Sequence, residues 1–233
     1  MFTHEEKEKL LTQGYLHAPV VLAPEHLQTL QKEFDRIWEG EKPPVNQLKL
    51  LKHRLFLDLI EHPSILKRVE AIFGQQTQLL QFDLLRQGPA SKQPDRTWHR
   101  DFVFPGDRPL SINTILYLDD ITQEKGPTYV IPGSHRGEAL PPAHPTNLLP
   151  LPDEIAVHAS AGDAVFINSA IWHSGGCNKS NGLRRSIYLY YGYWWLKRYE
   201  FDHILPWQAL EGASEKRLHL LGVKMPAAGL HTY

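Results

Sequence analysis

His99, Asp101 and His173 offer two imidazoles and one carboxylate, the donor set that holds a non-haem ferrous ion on one face and leaves three coordination positions open for substrate and oxygen. In Trp98-His99-Arg100-Asp101 the first two donors are separated by one residue, so on an extended segment both side chains point the same way. The third sits in Ile171-Trp172-His173-Ser174-Gly175-Gly176, where glycines allow close backbone approach just after it. Taken alone, a His-x-Asp is more often a strand-end pair in which the carboxylate merely orients the ring. Context shifts the balance. Arg184-Arg185-Ser186 opens an alternating run, Ile187-Tyr188-Leu189-Tyr190-Tyr191, that reads as a strand. Arg184 and Ser186 share one face, and Arg185 must take the other. A guanidinium fork beside a hydroxyl suits a carboxylate, as a dicarboxylate cosubstrate would require.

These residues sit within blocks that resemble the phytanoyl-CoA dioxygenase-like family of iron(II)/2-oxoglutarate oxygenases. The blocks are Trp98 to Asp101, Gly126-Pro127-Thr128-Tyr129-Val130-Ile131-Pro132-Gly133-Ser134-His135, Ala161-Gly162-Asp163-Ala164-Val165-Phe166, and His173 through Arg184, all in family order. The resemblance implies that His99, Asp101 and His173 are the Fe(II) ligands and that Arg184 binds the distal carboxylate of 2-oxoglutarate. It implies O2 as the second cosubstrate, and hydroxylation of an unactivated C–H bond of a small molecule with release of succinate and CO2. Asp101 points the same way, since family chemistry replaces this carboxylate with Ala or Gly where a halide must bind. Where the family often reads His-Gly-Ser-Gly, this chain reads His173-Ser174-Gly175-Gly176. Ser186, Ser174, Asn113 and Gln81 are the further polar residues expected to reach the cosubstrate. The alternatives are a cupin-like metalloenzyme that does not use 2-oxoglutarate, and a non-catalytic metal-binding protein of the same fold.

Composition narrows the setting. A chain of 233 residues buries one sizeable core, so a single domain over 1–233 is expected. A net charge of −1 with no Lys/Arg-rich run removes the electrostatic footprint of a nucleic-acid binder. No apolar stretch approaches the ~20 residues that span a bilayer, and the polar N-terminus is no signal peptide. Cys177 is the single cysteine, which excludes an internal disulfide and fits a reducing compartment. The expectation is a cytoplasmic protein whose partner is a small molecule, not nucleic acid or membrane. Nothing in the sequence specifies an oligomeric state.

The elements that must position these residues fall into two kinds. Thr3 and Glu6 have capping-box spacing, with Gly14 as the stop of a first helix. Tyr15 to Leu22 reads as a strand. Pro24 opens a helix in which Leu27, Leu30, Phe34, Ile37 and Trp38 form a stripe that ends at Gly40, and Pro63 and Gly74 bracket another. From Thr77 the pattern becomes short apolar runs between turn residues: 79–85, 111–118, 128–131, 154–158, 163–168 and 184–193. Helices followed by many short strands predict a mainly β fold, a jelly roll buttressed on one sheet by N-terminal helices. The resemblance implies the same double-stranded β-helix, with a helical part at about 1–75, a core at about 76–195 and a C-terminal extension at 196–233. Segments 86–96 and 137–153 read as loops at the barrel mouth.

Other residues near the blocks carry plainer readings. His135, after Pro132-Gly133-Ser134, reads as a turn histidine held by backbone hydrogen bonds. Cys177 reads as a buried, inert thiol. Trp98, Phe102, Phe104, Trp172, Trp194 and Trp195 flank the ligand segments and either wall a substrate pocket or fill a core. Arg86, Arg96 and Arg108 are either solvated charges near the mouth or readers of an anionic substrate.

Overall fold

In the computed structural model, which describes residues 3–92, 95–141, 150–196 and 205–224, a helical layer covers one face of a pair of antiparallel sheets. Helix α1 (His4–Gln13) begins with the capping box: the Thr3 hydroxyl accepts from Glu6 N at 3.0 Å, and the Glu6 carboxylate accepts from Thr3 N at 2.8 Å. It ends at Gly14, left-handed with φ 80°, whose N–H donates to the Leu10 carbonyl. Strand β1 (Tyr15–Ala18) follows, shorter than the run 15–22 expected, because Val20 takes a positive φ and its N–H is captured by the Asp163 carboxylate.

Helix α2 (Pro24–Gly40) buries Leu30, Phe34 and Ile37, the stripe read from the sequence. Those three side chains supply roughly 5–9 kcal/mol of gross burial free energy. The short α3 (Gln47–Leu50) and α4 (Arg54–Ile60) lead to α5 (Pro63–Phe73). Sequence periodicity overlooks α4 for a physical reason. The helix has only seven residues, about two turns, too few for a period of 3.6 to stand out, even though Arg54 and Asp58 pair on an exposed face opposite buried Phe56, Leu57, Leu59 and Ile60. After α5, the strands are β2 (Thr77–Gln87), β3 (Ser111–Tyr117), β4 (Thr128–Ile131), β5 (Ile155–Val157), β6 (Ala164–Asn168), β7 (Trp172–Gly175) and β8 (Arg184–Tyr193). Helices α6 (Trp207–Leu210) and α7 (Glu215–Leu220) return to the helical layer, where Arg217 is buried against Glu61 and Asp58.

The large sheet runs β1-β6-β3-β8-β2 and the small one β5-β4-β7. Alternation along the large sheet produces two cores. Ile112, Leu116, Phe166, Ile187, Leu189 and Tyr191 face the helices, while Ile115, Tyr117, Val165 and Ile167 face the small sheet, where they meet Val130, Val157 and Ile171. This is the jelly roll with N-terminal helices expected from the sequence. Much of segment 137–153 and of 196–233 lies outside the described residues, as do two residues of the 86–96 loop. Among the described residues no helix is long and apolar enough to cross a membrane.

His135 joins the two layers. It lies on a 3-10 turn (Ser134–Arg136), fully buried, with its Nε2–H donating to the Leu11 carbonyl at 3.0 Å, the structural role read from the sequence. Burial, reinforced by the Arg136 and Arg100 cations, holds its pKa below the ordinary imidazole value against the opposing pull of Leu11 and Asp107.

Two consequences follow from this joint. A Cβ at Gly14 would lie 2.6 Å from His135 Nδ1 on a left-handed backbone, so Gly14→Ala is expected to destabilise by about 2–4 kcal/mol, read as a lower urea midpoint at unchanged slope. Because the folded pKa of His135 is depressed, its contribution is complete above the free-imidazole value and is lost as pH falls below it. The parent should therefore lose more stability between about pH 7.5 and about pH 5.5 than His135→Gln, and equal losses in thermal melts would contradict this.

Candidate active site

The first three candidates converge. His99 and His173 form a reciprocal backbone pair, each N–H donating to the other's carbonyl at 3.0 Å, in an antiparallel bridge that extends the small sheet beyond β7. Such a pair points both side chains to one face, and the rings lie 4.2 Å apart between centroids. Asp101, two residues on, joins them: its Oδ1 is 3.7 Å from His99 Nε2 and 3.6 Å from His173 Nε2. Those separations are too long for hydrogen bonds and suit donors that share an ion, which at ~2.1 Å per bond stand about 3–4 Å apart. One donor atom from each residue falls within 4.8 Å of the others.

The surrounding bonds orient these donors. His99 Nδ1 faces the Thr97 carbonyl at 2.9 Å and His173 Nδ1 the Ile171 carbonyl at 3.1 Å. A carbonyl only accepts, so each Nδ1 carries the proton and each Nε2 presents a lone pair to the cluster. Burial depresses the His173 pKa, with the neighbouring His99 adding to the shift and Asp101 and the Ile171 carbonyl opposing it, which keeps the ring neutral and able to ligate. Asp101 Oδ2 is buried with no hydrogen-bond partner. A carboxylate whose Oδ1 faces two imidazole Nε2 atoms and whose Oδ2 is left without a partner fits a divalent cation of the borderline kind that N/O donor sets select. The His173 side chain is 6% exposed and that of His99 49%, so the cluster opens to solvent on the His99 side.

A second set lies deeper between the sheets. Arg184 is fully buried with no carboxylate partner among the described residues; its nitrogens make no hydrogen bond of ordinary geometry, and although burial works against the charge, the neighbouring Tyr188 and Tyr117 hydroxyls raise its pKa on balance. Ser186 Oγ and Asn113 Oδ1 are buried and unpartnered. All three occupy the inward rows of β8 and β3, on which Tyr117 and Tyr188 also lie. The guanidinium carbon is 5.6 Å from the Tyr117 ring, and the Tyr117 hydroxyl bonds the Thr128 hydroxyl at 2.5 Å across the interior. Thr128 is two residues along β4 from Val130, the partner of His173, so about 7 Å of strand separates the level of the donor cluster from that of Tyr117. A buried cation with no carboxylate partner is costly unless a ligand anion meets it. Arg185 faces the helices, with Asp119 and Asp35 both at 2.7 Å, so alternation resolves the choice between the neighbouring arginines.

Other expected residues are placed differently. Gln81 faces the interior opposite Tyr190, but its amide donates to the Asp83 carboxylate. Ser174 corrects the expectation of a cosubstrate contact. It pairs with Tyr129 on the face opposite His173, and its hydroxyl donates to the Gly175 carbonyl. The same alternation turns Trp98 and Trp172 away from the ligand face, and the Trp172 indole donates to the Ala139 carbonyl. Phe104 is 64% exposed, Trp194 and Trp195 are also exposed, and Trp195 stacks on Tyr193, so these aromatics do not form a closed wall. Arg96 is no anion reader at the mouth, being buried against Glu154. Arg100, on the back of the ligand segment, donates to the Ser134 and Gly137 carbonyls at 2.7 Å and ties the Asp101 strand to the His135 turn. Cys177 is buried and free, with its Sγ–H toward the Ser91 carbonyl.

Comparison with known proteins places this architecture. Dioxygenase andF of Emericella variicolor is 29% identical over 196 residues, covering 78% of this chain and 65% of the relative, so the chain spans just under two thirds of that relative's length. HygX from Streptomyces hygroscopicus, solved with nickel, 2-oxoglutarate and hygromycin B bound, superposes with a TM-score of 0.68 at 20% identity, covering 85% of this chain and 90% of HygX. The epimerase SnoN, solved with Fe3+, alpha ketoglutarate and nogalamycin RO, superposes at 0.66 and 22% identity, covering 81% of this chain and 82% of SnoN. These superpositions establish the fold. The family model of phytanoyl-CoA dioxygenase (PhyH) matches residues 10–186, most of the chain, including His99, Asp101, His173, Arg184 and Ser186, and the protein belongs to that family.

Proposed function

We propose that the protein is an Fe(II)- and 2-oxoglutarate-dependent dioxygenase that hydroxylates an unactivated C–H bond of a small-molecule metabolite, with residues 1–233 as one catalytic domain. The observation that carries this reading is the pairing of two stations in one interior: a two-imidazole, one-carboxylate cluster open to solvent on one side, and beyond it a buried guanidinium with tyrosine hydroxyls but, among the described residues, no carboxylate beside it. Fe(II) held by His99, Asp101 and His173 would supply the activation of O2 that oxidises 2-oxoglutarate to succinate and CO2 and inserts oxygen into the substrate.

The chain's own residues perform the rest. His99 and His173 are held with Nε2 toward the metal position by their backbone acceptors, and Asp101 offsets part of the metal's charge. Arg184 holds the distal carboxylate of 2-oxoglutarate, with Ser186 and Asn113 as the polar groups on the same inward rows. Tyr117 and the apolar residues around it keep water from that carboxylate, which strengthens the ion pair. The half-exposed His99 side marks where substrate arrives. The small-molecule substrate class is supported by HygX and SnoN, whose structures hold hygromycin B and nogalamycin RO. The single, buried, unpaired Cys177 supports a reducing, cytoplasmic setting.

Asp101→Ala and His173→Ala are each expected to abolish substrate-coupled succinate release, and near-parental turnover in either, with metal bound, would refute the ligand assignment. Anaerobic addition of 2-oxoglutarate to the Fe(II) protein should produce a visible charge-transfer band, and no band would favour a cupin-like metalloenzyme that does not use this cosubstrate. Arg184→Met should lower 2-oxoglutarate affinity at least about tenfold. It should leave the ligand-free fold within about 2 kcal/mol of the parent, since it replaces a buried charge that has tyrosine hydroxyls but no carboxylate beside it with an apolar chain. A strongly lowered unfolding midpoint would show that Arg184 serves the fold instead.

A further inference from the structure

His99 and His173 are held very differently. His173 lies within β7, buried, with its ring packed in the interior. His99 has a half-exposed ring and follows a segment of no regular structure, and among the described residues its ring hydrogen-bonds only to the carbonyl of Thr97. The aim of the His99 ring therefore depends on what fixes residues 95–98.

Arg96 does so. Its backbone is left-handed, with φ 55°, a conformation L-residues rarely adopt, immediately before the Thr97 carbonyl that orients His99. Its Nε–H donates toward both carboxylate oxygens of Glu154, at 3.0 and 3.2 Å, and Nη1–H to Asp95 at 3.1 Å. The guanidinium lies 4.3 Å over the Tyr129 ring on β4, on the outer face of the small sheet. Asp95 in turn accepts from the Cys177 backbone N–H at 3.2 Å and from the Lys179 ammonium at 3.4 Å, in the segment that follows His173. The Arg96 and Glu154 side chains are 11% and 7% exposed, so the pair is shielded from water and geometrically restrained. The network spans the approach to one proposed ligand, the strand that pairs with the other, and the exit from that other ligand.

We propose that Arg96 is a positioning residue: by locking residues 95–98 onto the outer face of the small sheet it aims the His99 imidazole at the point shared with Asp101 and His173. This rests on the reading of His99, Asp101 and His173 as metal ligands. Arg96 touches no donor atom and acts through the Thr97 carbonyl. Groups that orient ligand histidines from behind change metal affinity by about 10–100-fold when altered.

The test is titration of the metal-free full-length protein with Co(II), which reports affinity and, through its visible d–d bands, ligand geometry. Arg96→Lys keeps the charge but loses the planar donor set, and Glu154→Gln keeps the shape but loses the charge. Both are expected to bind Co(II) about tenfold more weakly or worse, with altered band positions, while circular dichroism and the unfolding midpoint without metal stay near the parent's. A merely structural clamp would lower the midpoint and leave Co(II) affinity unmoved. Parental Co(II) affinity in both variants, or loss of the metal-free fold in both, overturns the positioning role. Asp101→Ala separates this from the reading beneath it. If that variant binds Co(II) as well as the parent, the ligand assignment itself fails. If it loses Co(II) while the two clamp variants bind normally, only the role of Arg96 falls.

Discussion

The reciprocal backbone pair between His99 and His173 is the constraint on which the rest of the site depends. Two hydrogen bonds of 3.0 Å bring segments far apart in the chain into one antiparallel bridge, and the geometry of that bridge sends both imidazoles to the same side. Asp101 reaches the same point because it sits two residues along from His99. None of these side chains holds another directly, since every donor separation exceeds a hydrogen bond. The convergence is imposed by backbone pairing and by the carbonyls behind each ring.

Beyond this cluster the interior is unusual for the polar groups it leaves unmet. Most buried polar atoms in a folded protein have partners, yet among the described residues Ser186 Oγ, Asn113 Oδ1 and Asp101 Oδ2 have none and Arg184 has only tyrosine hydroxyls beside it. They lie along one inward surface, in the order metal donors, then guanidinium. A fold that buries a guanidinium with no carboxylate partner beside Tyr117 gives up stability that its two apolar cores must offset. The helical layer matters here. Helices α2, α4 and α5 press on the outer face of the large sheet, and β3, β6 and β8 of that sheet carry apolar residues on both faces, which leaves the inward rows free to hold a few unmatched polar groups.

The outer face of the small sheet has the opposite character. Arg96, Asp95, Glu154, Tyr129 and Lys179 are mutually satisfied there, and Arg100 closes onto the turn that carries His135. The small sheet thus carries the donor cluster on its inner face and a network of ion pairs on its outer one. The rigidity of the second supports the geometry of the first.

What the sequence by itself determined follows from local periods. The period of two puts His99 with Asp101 and Arg184 with Ser186, and it separates Arg184 from Arg185. The period of 3.6, with Thr3, Pro24 and Pro63 at helix starts, marks α1, α2 and α5. Helix α4 was illegible because its seven residues, with one exposed Arg54–Asp58 pair, are too short a window for periodicity to detect. Tertiary structure alone decided the non-local facts: that His99 pairs with His173, that Ser174 turns away, that Arg96 meets Glu154, and that Trp98 and Trp172 face outward. Each depends on which strand lies opposite and in what register. Chain-long packing sets those relations, and no window of neighbouring residues encodes them.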